Sequence, residues 1–126
     1  IVASDQYLKR QEKWLKEVLA SEECRNAEVR IAFCHVPPET NGWYGAAQMC
    51  ERLVPHLNEA GIDAMFCGHI HKYRFSEAND PEYGCNFPII CMPNRSRADI
   101  EVTKDKIAYT ITNAKEEITN NEITVK

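Results

Sequence analysis

The sequence predicts an α/β fold, and three observations carry that reading. Two short apolar segments, residues 29–34 and 62–67, have the β-branched and aromatic character of mostly buried strands. Residues 46–60 between them have helical content and run up to Gly61, a residue suited to stopping a helix. A strand, a helical crossover and a second strand make a βαβ unit, which needs about 30 residues or more. The rest of the chain is rich in short β-like runs separated by turns. The expectation is a βαβ unit followed by a mostly antiparallel β region.

Each element has its own warrant. Ser4-Asp5 is a cap-like pair, and residues 5–20 follow as a helix with Tyr7, Leu8, Trp14, Leu15, Val18 and Leu19 on one apolar stripe. That stripe is expected to pack into the core. After the first strand, Pro37-Pro38-Glu39-Thr40-Asn41-Gly42-Trp43 reads as a loop. His56 follows Pro55 inside the crossover helix and is not expected to be a ligand. Residues 75–85 are polar and turn-rich. Strands are expected at 87–92, 98–103, 107–112 and 118–125, with Lys104-Asp105 turning a hairpin. No internal repeat or linker divides the chain.

The chemistry concentrates in two runs, Phe33-Cys34-His35-Val36-Pro37 and Cys67-Gly68-His69-Ile70-His71, which hold three of the four histidines. In each run histidine follows a strand directly. A helical crossover makes the two strands parallel, so His35 and His69 emerge at the same carboxyl edge. That edge is where open α/β sheets hold their ligands. Neutral imidazole is the commonest metal ligand, so the arrangement points to a metal site. In extended backbone His69 and His71 point to one side, about 6–7 Å apart. They would hold one ion together, or one each of two ions about 3.5–4 Å apart. Gly68 permits a tight turn and a close approach. The plain alternative is a set of hydrogen-bonded polar residues at strand ends. A second histidine at the matching end of a neighbouring strand weighs against it.

These residues resemble a known family. Gly68-His69-Ile70-His71 is similar to the Gly-His-x-His signature of calcineurin-like metallophosphoesterases, and Cys34-His35 to the isolated strand-end histidine that precedes it. The family usually has glycine where Cys34 stands. Gln11, Trp14 and Leu15 match a Gln-x-x-Trp-Leu pattern, and Leu53-Val54-Pro55-His56-Leu57 with Gly61-Ile62-Asp63 resembles the approach to the last signature. Tyr73 is similar to the His-x-Tyr continuation of purple acid phosphatases and related branches. The resemblance spans roughly residues 11–74. It implies a two-sheet sandwich flanked by helices, with a dinuclear centre of Zn, Fe, Mn or Co at one end of the strands. Carried over, His35 and His69 bind the second metal and His71 the first. Asn41 and Tyr73 become candidate substrate contacts, and Trp43 shares the loop that lies over the substrate in the family, where it would either contact substrate or pack.

The same resemblance exposes a gap. The family's Asp-x-His, Gly-Asp and Asn-His motifs supply the carboxylates, the bridging ligand and the leaving-group histidine. None occurs in these 126 residues. Residues 1–126 are therefore expected to be the carboxyl-terminal part of a single metallophosphoesterase domain. The whole protein would hydrolyse a phosphate mono- or diester, while this piece binds at most one metal and is inactive alone. The alternative is a non-catalytic binding or assembly module, self-associating through an exposed sheet edge.

Composition narrows the partners. The formal net charge is −4, from 15 basic and 19 acidic residues, which suggests no dedicated nucleic-acid surface. No apolar run approaches a membrane span, which takes about 18 residues or more. The six cysteines form no Cys-x-x-Cys pair and are expected to be free thiols, which leans towards a reducing, cytoplasmic setting.

Overall fold

The computed structural model describes residues 2–126, with side chains described from residue 5 onward. The capping role expected of Ser4 lies outside those side chains. Helix α1 runs Val2–Ala20, and a short α2 follows at Glu22–Asn26, capped by Ser21, whose hydroxyl accepts from the Cys24 N–H at 3.2 Å. Strand β1 is Ile31–Phe33. The crossover is then two helices, α3 (Tyr44–Arg52) and α4 (Val54–Ala60), leading to β2 at Ala64–Cys67. The single helix expected over 46–60 divides at Leu53 because Pro55 has no N–H for the helical ladder and clashes with the preceding turn. Gly61 ends α4 in the left-handed conformation, φ 75°, as a helix stop should.

Strands β1 and β2 pair in parallel, with Ile31 opposite Ala64 and Phe33 opposite Phe66. Beyond them lie β3 (Arg74–Ser76), β4 (Ile89–Cys91), β5 (Ser96–Val102), β6 (Lys106–Asn113) and β7 (Ile118–Thr124). The first sheet has the order β1-β2-β4-β3, and the second is the antiparallel meander β5-β6-β7. Two expectations change here. The 87–92 strand joins the first sheet, parallel to β2, rather than the second. The segment 75–85 is not all turn, because β3 pairs antiparallel with β4 at its start. Its short, polar-flanked pattern left no period for the sequence to show.

The layers are helices, first sheet, second sheet. On the helical side Met65, Cys67, Ile89 and Cys91 pack with Val54, Leu57 and Phe87, joined by Leu15 and Leu19 of α1. Between the sheets Ala64, Phe66 and Ile90 meet Ile107, Tyr109, Ile111 and Ile123. Strand β2 is buried on both faces, as its unbroken apolar run requires.

Strand β1 is different, for it lies at the sheet edge. The Cys34 N–H donates to Phe66 O at 3.0 Å, so the alternate residues Ile31 and Phe33 direct their N–H and C=O groups away from β2. Phe33 is 71% exposed, and a groove of about 520 Å³ runs beside it under Trp14 and Val18. The helical stripe therefore divides. Leu15 and Leu19 reach the core, whereas Tyr7, Trp14 and Val18 are exposed, contrary to the expectation that all six would pack inward.

Candidate metal centre

Strands β1 and β2 end side by side, and the loops that follow them are stitched together. The Gly68 N–H donates to His35 O at 2.9 Å. This brings the His35 and His69 rings edge to face, 5.3 Å between centroids and 81° between planes. Both side chains are exposed at the carboxyl edge of the sheet. Gly68 lies against the His35 ring, since a Cβ there would fall 3.6 Å from Nδ1. That is ordinary contact, so the closeness is real but does not by itself demand glycine.

His69 and His71 are not in extended backbone. Both adopt left-handed conformations, φ 66° and 59°, and the Ile70 N–H turns back to Gly68 O at 2.8 Å. The geometry expected from an extended His-x-His pair gives way to a coiled turn. Left-handed residues other than glycine are uncommon, and Asn79, Arg95 and Glu116 share the conformation elsewhere in the chain, so it marks a tight turn here rather than a site by itself. His71 is exposed on this turn. Among the described residues no group of three or more His, Cys, Asp or Glu side chains is arranged to hold a metal ion. The structure thus brings together two of the three expected ligands.

The surroundings are fixed by anchors that sequence spacing does not show. Pro37 and Pro38 are buried at the base of the loop after β1. The Thr40 N–H donates to Glu82 O at 2.8 Å, and Arg74 Nη2 approaches Glu39 Oε1 at 3.4 Å while the guanidinium lies over the Tyr83 ring, 4.9 Å from its centroid. Arg74 was not singled out by sequence, because its partners Glu39 and Tyr83 are distant along the chain. Asn41 is exposed at the loop tip. Trp43 stands 6.0 Å from His69, ring centroid to ring centroid. The Tyr73 hydroxyl is engaged with the Tyr109 hydroxyl at 2.8 Å, half-buried against the inter-sheet core.

Acidic and thiol donors do not complete the pair. The carboxylate of Glu39 is held by Arg74, and the buried Asp63 sits at the opposite end of β2, accepting from the Arg30 and Lys126 N–H groups at 2.9 and 3.1 Å. Burial pushes the thiols of Cys34, Cys67 and Cys91 above the ordinary cysteine range, so they stay protonated at neutral pH. All six cysteines are free. Two exposed imidazoles side by side fit part of the ligand set of one transition-metal ion; they do not fit a whole dinuclear centre.

A search of curated proteins finds no match to this chain. The sequence profile of calcineurin-like phosphoesterases does match, over residues 2–73. That span includes β1, the helical crossover, β2 and all three exposed histidines, and ends at Tyr73. It assigns the family and no branch within it, so the purple acid phosphatase likeness stays at one tyrosine. Members of this family act on phosphate esters and typically bind divalent metals. The match covers more than half of the 126 residues, and the mixed α/β architecture agrees with a partial fold of this kind: the chain belongs to the calcineurin-like phosphoesterase family.

Proposed function

We propose that the chain contributes His35 and His69, with His71 as a third donor, to the dinuclear centre of a metal-dependent phosphoesterase. The observation that carries this reading is the meeting of His35 and His69 rings at the carboxyl ends of adjacent parallel strands. A cation held by these imidazoles would neutralise phosphoryl charge and lower the pKa of a bound water. The chain's own residues orient those donors. The Gly68–His35 backbone bond fixes one loop against the other, and the Arg74–Glu39 contact holds the loop above. Asn41 is exposed where a substrate would approach; Tyr73, tied to Tyr109, steadies the loop that carries His71.

The acidic ligands come, in this reading, from polypeptide outside these 126 residues. The free edge of β1 supports that. A strand added there in parallel would end beside His35, and its apolar side chains would fill the groove under Trp14 and Val18. The same free edge favours a second reading, an assembly module that pairs with another copy.

Zinc titration of the chain tests the proposal. One ion per chain is expected, lost in both His35→Ala and His69→Ala; His71→Ala then reports whether the third donor swings in. Undiminished binding in both variants, or no binding by a folded chain, would refute the ligand assignment. Sedimentation of the metal-free chain distinguishes the second reading, which requires a concentration-dependent dimer broken by Phe33→Asp.

A further inference from the structure

Trp43 combines two properties that rarely coexist, exposure and fixation. Trp43 is 57% exposed, as is Tyr44 beside it. Yet its backbone is set as the residue capping α3, with its C=O accepting from the Ala47 N–H at 3.0 Å. The six-membered part of the indole lies over Gly45, where a Cβ would fall 2.4 Å from Cη2 and 2.6 Å from Cζ3. Glycine at position 45 is thus the space into which the ring is laid. The indole centroid also stands 6.0 Å from that of His69, with the ring planes 31° apart, and the His69 ring in turn meets His35.

We infer that Trp43, seated on Gly45 beside His69, is a stacking platform that selects phosphate esters carrying an aromatic ring, whether a nucleobase or an aryl group, over aliphatic ones. This rests on the phosphoesterase reading and names the substrate class for it. A flat ring laid on the exposed indole keeps its attached phosphoryl group near the imidazoles. A sugar or alkyl phosphate gains nothing from the indole face. Stacking of one ring on one indole corresponds to about tenfold or more in affinity.

The test uses the chain with and without added zinc, carrying Trp14→Phe, which leaves Trp43 as its single tryptophan. AMP, phenyl phosphate, ribose 5-phosphate and adenosine are titrated by calorimetry and by Trp43 fluorescence. The expected result is saturable quenching by AMP or phenyl phosphate, with binding at least about tenfold tighter than ribose 5-phosphate; the tighter of the two identifies the source. Trp43→Ala should remove that advantage and leave ribose 5-phosphate unchanged. Gly45→Ala is the second variant. It favours the helix but drives a methyl into the indole, so it should weaken aromatic binding without unfolding the chain. Equal binding of AMP, phenyl phosphate and ribose 5-phosphate would overturn the platform and leave the phosphoesterase reading standing. Adenosine quenching with AMP no tighter would support the platform and overturn the phosphate reading. No quenching by adenosine, AMP or phenyl phosphate would overturn the platform outright.

Discussion

Replacing His71 separates chemistry from strain, because its backbone sits at φ 59° while its side chain is exposed. His71→Ala and His71→Gly both delete the imidazole, so their effects on metal binding should be the same. Their effects on stability should not. A residue with a Cβ in the left-handed region loses roughly 1–2 kcal/mol to contact with its own backbone, and alanine retains that penalty. Glycine escapes it, but gives up roughly 0.4–1 kcal/mol through the greater freedom of the unfolded chain. The balance favours His71→Gly over His71→Ala by roughly 0–1.6 kcal/mol, about 0.8 kcal/mol at the midpoint. At an ordinary exposed loop position the order reverses, since alanine then wins by the unfolded-state term alone. Urea denaturation of the metal-free variants measures the difference from the midpoints at equal slope. Finding His71→Ala the more stable would show that the turn carries no strain at His71.

Two other perturbations probe the scaffold beneath the site. The Asp63 carboxylate accepts the Arg30 N–H, where β1 begins, and the Lys126 N–H near the end of the chain. Asp63→Ala removes both bonds from a buried position and should destabilise the chain by about 3 kcal/mol, with zinc affinity falling as the register of β1 on β2 loosens; a loss below about 1 kcal/mol in urea would contradict this. Glu12 is held below its ordinary value of 4.5, chiefly by its hydrogen bond to His56 and also by Arg52. A depressed carboxyl stabilises the fold fully above its unfolded value and loses that contribution as pH falls through the folded one. The acid limb of a stability–pH curve, below about pH 4.5, should therefore be shallower in Glu12→Gln than in the parent, and parallel limbs would contradict the assignment.

Much of the site was legible because strand-end position is encoded locally. Apolar runs at 29–34 and 62–67 place His35 and His69, and the crossover between them dictates parallel pairing, which is what the register shows. The conformation of the His69-Ile70-His71 turn was not legible. Alternating histidines look the same in an extended strand and in a left-handed turn, and the hydrogen bond from Ile70 to Gly68 that decides between them leaves no residue-type signal. The joining of β4 to the first sheet was hidden for a related reason. Ile89, Ile90 and Cys91 are buried on both faces, so their pattern names a central strand without naming its neighbours.

Tyr7, Trp14 and Val18 of α1 have the spacing of core residues, and the inference that they pack is sound wherever something lies beneath them. Leu15 and Leu19, on the side of the helix over the first sheet, do pack. Trp14 and Val18 project past β1, beside the outward-facing backbone of Ile31 and Phe33 and the groove they share. Exposed apolar surface on a helix and free donors and acceptors on a strand are separate costs, met by different chemistry, yet a single extended segment laid beside β1 would answer both. It would also emerge where the imidazoles lack carboxylates. The groove, the free edge and the exposed imidazoles thus lie together, and the proposed reading, in which further ligands come from outside these residues, would account for all three.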